Sequence, residues 1–214
     1  MWDLLDKGWQ TAFELAWNSY LKGTIPIGAV IQDETGEIVS QGQNLIFTDK
    51  KAPPPLISDH KLAHAEINTL LGISEKNHPR IREYTLTTTM EPCPLCFGAI
   101  VMANIRHFRF AARDRVAGAA KVNRLHDYIA SKNIAIEGPH ELLEAIQLAM
   151  QTCFELERNP AKSGYLISQW ELDCPKGIQL GRLLYEKGVL AEFKSRKALT
   201  QSVLDELERL YLEL

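Results

Sequence analysis

At 214 residues and 45% apolar side chains, the chain can fill one good core and still carry an appendix or small second unit. No apolar run reaches the ~18–20 residues that span a bilayer, and Met1–Asp6 holds two acids and no basic run, which argues against both a membrane segment and a secretory signal. The net charge of −3 is uneven: residues 1–139 balance 15 Lys/Arg with 15 Asp/Glu, whereas residues 140–214 carry 9 against 12, an acidic tail ill suited to nucleic-acid phosphates.

Residues 3–22 place Leu4, Leu5, Trp9, Phe13, Ala16, Trp17 and Tyr20 at helical spacing, which predicts a first amphipathic helix ending near Gly23. Ala29–Gln32 and Glu37–Gln43 read as strands joined by an Asp33-Glu34-Thr35-Gly36 turn. Residues 45–60, with Pro53-Pro54-Pro55, cannot continue a helix or a central strand. This long loop precedes the next helix, Leu62–Ile73, and is a candidate for the substrate mouth. Tyr84–Thr89 reads as a strand that feeds a helix opened by Pro92 and Pro94. Ile105–Ala111 and Ile134–Glu137 are the remaining strand candidates, and Glu141–Glu157 is a helix with Leu142, Leu143, Ile146, Met150, Cys153 and Phe154 on one face. Asn159–Gly164 breaks the pattern, and residues 198–214 form a terminal amphipathic helix. Alternating strands and helices predict an α/β fold, a three-layer α/β/α sandwich with a mixed central sheet and a mainly helical C-terminal extension. Two units are expected: residues 1–158 as the functional domain, and residues 159–214 as an extension packed on that domain or on a dimer interface.

The chemistry concentrates in His64-Ala65-Glu66 and Pro92-Cys93-Pro94-Leu95-Cys96. One imidazole and two thiolates make three soft ligands for Zn2+, and three protein ligands leave one position of a tetrahedral zinc open to water. Zinc lowers the pKa of such a water to about 7. Glu66, two residues from His64, can take a proton and return it. Both ligand segments lie at predicted helix N-termini, whose dipoles favour thiolate over thiol. A redox C-x-x-C would need a βαβ pattern that does not follow Pro94-Leu95. A structural zinc site would need a fourth ligand, and Cys153 and Cys174 lie far off without paired spacing. Cys174 reads as an ordinary thiol. With two of four cysteines committed to metal, a disulfide framework is not expected, and a cytoplasmic setting follows.

An H-x-E followed by P-C-x-x-C resembles the zinc-dependent cytidine/deoxycytidylate deaminase superfamily. Within it the chain is most similar to the branch of tRNA adenosine deaminases, guanine deaminases and nucleoside deaminases. The matching stretches are Ile25–Ile31, Gly42-Gln43-Asn44, His64–Asn68, Met90–Ile100, Ala112-Arg113-Asp114 and Ala117–Ala120. The resemblance implies His64, Cys93 and Cys96 as zinc ligands, Glu66 as proton shuttle, and Asn44, Ala65 (through its backbone amide) and Ile27 as substrate contacts. Asn44 also reads as a turn residue after Gly42, and Ile27 as core. The resemblance implies a homodimer as well.

The expected reaction replaces an exocyclic amine of a nucleobase-type ring by oxygen with release of ammonia. The leading substrate expectation is a free purine base or nucleoside, because the 45–60 loop is long, the tail is acidic and the appended region could close the pocket. The alternative is adenosine-to-inosine deamination in tRNA. It is favoured by Ala117-Gly118-Ala119-Ala120 and by the cluster Arg106, Arg109, Arg113, Arg115, Lys121 and Arg124, which could meet phosphates or simply form a solvated rim. A non-catalytic zinc-binding partner subunit is a third reading, against which Glu66 stands.

Overall fold

In the computed structural model, which describes residues 1–214, the first predicted helix is two elements. A 3-10 turn covers Trp2–Leu4, and α1 runs over Lys7–Leu21. The break falls at Asp6, which turns extended to take the N-cap and accepts a hydrogen bond from the Trp9 amide at 3.2 Å. The strands β1 (Gly28–Gln32) and β2 (Ile38–Gln43) form the expected hairpin. Asp33 Oδ1 accepts from the Thr35 and Glu37 amides in its turn, and Gly36 supplies a positive φ of 88°.

Three elements alternate next: α2 (Ala65–Leu71), β3 (Thr85–Met90) and α3 (Pro94–Met102). β4 (His107–Ala112), a one-turn α4 (Asp127–Ala130) and β5 (Ala135–Glu137) complete the sheet region. The strand order is β2-β1-β3-β4-β5. β1 runs antiparallel to β2 and β3, while β3, β4 and β5 are parallel, so the sheet is mixed. Each parallel step uses a crossover with a helix, as parallel pairing requires.

On one face of the sheet, α2 and α3 cover Ile31, Leu86, Phe108 and Phe110 with Phe97, Ile100 and Val101. On the other lie α1 and α5 (Glu141–Arg158). α5 is buried at every residue from Leu143 to Phe154. A single amphipathic stripe would leave one side wet, so burial all round, with the polar Glu144, Gln147, Gln151 and Thr152 included, means that α5 is covered on both sides.

The cover comes from the C-terminal extension: α6 (Pro160–Glu171), α7 (Pro175–Glu186), α8 (Val189–Ser195) and α9 (Thr200–Glu213). Leu180, Leu184, Leu190, Phe193, Val203, Leu204 and Leu207 bury in one cluster with Trp9, Phe13, Trp17, Ile146 and Met150. The α6 residues Ile167 and Trp170 join a second cluster with Met90, Ala112 and Leu148. No helix is long and apolar enough to cross a membrane.

Candidate active site

The helix that carries Glu66 is shorter than its apolar spacing suggests. Leu62, Ala63 and His64 lie outside it, and His64 is its N-cap with extended backbone (φ −72°, ψ 154°). Cys93 is likewise the N-cap of α3, ahead of Pro94 at the first helical position. Pro92 stays outside the helix. Two helix starts therefore converge, and their side chains meet. His64 Nδ1 lies 3.7 Å from Cys93 Sγ and 3.5 Å from Cys96 Sγ, and the three ligand atoms fall within 4.8 Å of one another. Bonds of about 2.3 Å to sulfur and about 2.0–2.1 Å to nitrogen around a tetrahedral zinc put neighbouring ligand atoms about 3.5–3.8 Å apart. The set fits that ion in chemistry and spacing, and could hold it.

Gly42 explains how α2 comes so close to the sheet. A Cβ there would lie 2.4 Å from the Thr69 amide and 2.6 Å from the Ala65 carbonyl oxygen, so only glycine lets the helix start rest on β2.

Of the three candidate ligands, only Cys93 is poised in the deprotonated form that a cation requires, and binding an ion would displace the protons of the other two. The Cys93 thiol is held down to about 4, first by the hydrogen bond from Cys96 and then by His64, against the opposing effect of burial. The same coupling with Cys93, together with burial, pushes Cys96 up. His64 is raised mainly by its hydrogen bond to Cys93. Glu66 is 4% exposed, and burial pushes its carboxyl up. Thr88, on β3, donates to Glu66 Oε1 at 3.0 Å, and the Cys96 thiol approaches Oε2 at 3.3 Å. The carboxyl is thus fixed beside the ligand set without being part of it.

A cavity of about 190 Å3 opens on this group. His64, Glu66, Cys93, Asn44 and Ile27 all line it, so four predicted site residues and the pocket-wall position share one space. Asn44 is rigidly placed: its amide donates to the Ile27 carbonyl at 2.9 Å, and its carbonyl accepts from Ser19 Oγ at 3.0 Å. Its side-chain Oδ1 accepts from Thr24 and the Ile46 amide, which leaves Nδ2 as the end that can serve a ligand. Ala65 is fully buried and is not among the lining residues. The proline loop also misses this cavity. Pro53 and Leu56 instead line a neighbouring cleft of about 430 Å3 with Lys22, Lys50 and Lys51.

Several lining residues carried no functional signal in the sequence. Glu91 closes the end of β3, with its carboxylate accepting from the Asp114 and Ala120 amides. Gly118 sits so near it that a Cβ would lie 2.3 Å from Glu91 Oε2. Asp114 Oδ1 accepts from the Val116 and Ala117 amides and from the Trp170 indole at 3.2 Å. Gln151 and Glu155 come from α5, Leu166 and Trp170 from α6. The arginine cluster is largely spent on structure. Arg109 pairs with Asp6 at 2.7 Å, Arg113 with the buried Glu144 at 2.8 Å and Arg115 with Asp173 at 2.8 Å. These three guanidiniums hold the N-cap, α5 and the α6–α7 joint to the sheet.

The cytidine and deoxycytidylate deaminase zinc-binding region matches residues 4–112, a span that contains both ligand segments, and this chain belongs to that family. It is a zinc-dependent hydrolytic deaminase. A tRNA-specific adenosine deaminase of Haemophilus influenzae is 30% identical over 160 residues, 73% of this chain and 87% of the relative. A tRNA-specific adenosine deaminase of Bacillus subtilis is 35% identical over 103 residues, 46% of this chain and 56% of the relative. Among solved structures, a diaminohydroxyphosphoribosylaminopyrimidine deaminase/5-amino-6-(5-phosphoribosylamino)uracil reductase of Thermotoga maritima shares the fold, with a TM-score of 0.50 at 22% identity over 71% of this chain and 40% of that one.

Proposed function

We propose that the chain deaminates the adenine ring of an adenosine in tRNA, at the cavity lined by His64, Cys93 and Glu66, with Cys96 behind them as the third metal ligand. The observation that carries this reading is the Haemophilus relative, a tRNA-specific adenosine deaminase matched over 87% of its length. This reverses the order of the two substrate expectations drawn from the sequence.

A zinc ion held by His64, Cys93 and Cys96 supplies the Lewis acidity that activates water at neutral pH. The remaining chemistry belongs to the chain. Glu66 takes a proton from the attacking water and gives it to a ring nitrogen. Oxygen bonds to the ring carbon, the exocyclic amine receives the second proton, its C–N bond breaks and ammonia leaves. Glu66 ends as it began. Thr88 fixes the carboxyl for both transfers by donating to Oε1. Asn44 Nδ2 donates to an acceptor on the ring edge, and Ile27 supplies an apolar wall. A flipped-out base is read in a snug pocket of this kind.

A second reading, a free purine base or nucleoside, is favoured by one specific observation. The cavity holds about 190 Å3, below the roughly 300–1,000 Å3 of clefts that take drug-sized ligands, and α6 roofs it with Leu166 and Trp170. The division into a deaminase unit (1–158) and an appended unit (159–214) belongs to the same proposal, as does assembly into a homodimer, which light scattering checks.

Ammonia release from the zinc-loaded protein tests the substrate. An anticodon stem-loop with adenosine at the target position is expected to turn over, in preference to adenine, guanine, their nucleosides and cytidine. Release from free rings alone would transfer the assignment to the second reading. Release from none would remove both.

A further inference from the structure

The cavity has a polar wall that the reaction does not use. Gln151 and Glu155 stand one turn apart on α5 and both line it. Gln151 is 3% exposed. Its Nε2 donates to Glu155 Oε1 at 3.3 Å, which sets the plane of the amide, while its Oε1 is buried without any hydrogen-bond partner. One turn earlier, Gln147 Oε1 is buried without a partner as well, but that side chain is tied by its Nε2 to the Pro26 carbonyl at 2.8 Å and is not among the cavity residues, so of the two only Gln151 lines the cavity. A buried amide oxygen without a donor is rare in native proteins. One that faces a ligand cavity is satisfied when the ligand brings the donor.

Position adds to the argument. His64, Glu66 and Cys93 reach the cavity from the α2–α3 face of the sheet, whereas α5 lies on the opposite face. A substrate with its amine at Glu66 therefore turns its other end toward α5. Across that space, Asn44 Nδ2 from the hairpin offers a donor, so the walls present a donor and an acceptor from two directions. Trp170 is held in place on the same side by its bond to Asp114. Burial pushes the Glu155 carboxyl up, which keeps a second negative charge away from Glu66 for longer as pH rises.

We infer that Gln151, aligned by Glu155, is a specificity-determining residue whose Oε1 accepts a hydrogen bond from an N–H or O–H group on the substrate end remote from the reacting amine. The inference rests on the deaminase reading of the cavity. The donor has two chemical sources: a ring N–H of a free base, or the ribose 2′-hydroxyl of a nucleotide in a polynucleotide.

Two matched ligand pairs separate them, with affinity and kcat/KM measured on the zinc-loaded protein. One pair is guanine and 9-methylguanine. The other is the anticodon stem-loop with ribo- or 2′-deoxyadenosine at the target position. Gln151→Met, close in shape but without the acceptor, should weaken the donor-bearing member of one pair by roughly 3- to 10-fold while leaving its donor-free partner unchanged. The pair that responds names the source. Gln151→Asn, which withdraws the acceptor by one methylene, should show the same selective loss and stands in where the methionine variant does not fold. Equal effects on both members of both pairs would overturn the inference, as would absence of binding by either pair. Binding that responds as expected while no ligand is deaminated would instead refute the functional reading and leave the Gln151 contact standing.

Discussion

Replacing Glu66 by glutamine separates proton transfer from everything else the site does. The side chain is 4% exposed, accepts from Thr88 Oγ1 at 3.0 Å and lies 3.3 Å from Cys96 Sγ. Glutamine has nearly the same volume, and its Oε1 can still accept from Thr88. The ligand set is untouched, since His64, Cys93 and Cys96 supply all three donor atoms. What is lost is the ability to carry a proton. General acid–base groups contribute about 10²–10⁴-fold, or roughly 3–5 kcal/mol of transition-state stabilisation. Glu66 handles more than one transfer in this scheme, so kcat should fall to the far end of that range or beyond. Removing a buried carboxyl takes away a desolvation cost, so the melting temperature should stay level or rise. Ammonia release, zinc stoichiometry by atomic absorption and a thermal melt are read on the same preparation. Activity within tenfold of the parent at one zinc per chain would refute the role given to Glu66.

Cys93→Ala should leave two ligands where a tetrahedral ion wants at least three, and zinc content should drop well below one per chain; full occupancy would show that the ligand set is misassigned. Leu184→Ala removes a fully buried α7 side chain from the cluster shared with α1 and α5, at a cost of about 2–5 kcal/mol read by urea unfolding. The loss should appear in a single transition, and two separated transitions would contradict a shared core. Glu155→Gln tests burial by pH. A carboxyl raised on folding contributes stability below its unfolded pKa that is lost as pH rises through the folded value, so the variant should gain on the parent from about pH 4.5 toward neutrality. A melting-temperature difference that is flat with pH would show that Glu155 is not desolvated.

The candidate metal residues are legible because their signal is local. Two ligands three residues apart at a proline-marked helix start, and an H-x-E at another, state their chemistry within a few positions. The five strands could be read for the same reason, as short β-branched or apolar runs punctuated by turn residues. The boundary errors share a cause. Apolar spacing continues through Leu62 and Leu4 although the backbone does not, because hydrophobic periodicity carries no information about a residue that leaves the helix to act as its cap. The arginine cluster was ambiguous because its partners Asp6, Glu144 and Asp173 lie 31 to 103 residues away. Gln151 and Glu155 were invisible as site residues because a helix buried on all sides shows no pattern that marks which of its polar groups meets a cavity, and Trp170 reads from the sequence only as an apolar position of α6.

The burial of α5 on both faces has a further consequence. One helix spans the reaction chamber at Gln151 and Glu155 and the hydrophobic girder under α7 and α9 at Ile146 and Met150. Metal chemistry is anchored from the opposite face of the sheet, in segments with no share in that girder. A substitution in the C-terminal helices therefore reaches the cavity wall through α5 and α6, whereas the segments that carry His64, Cys93 and Cys96 stand outside that route.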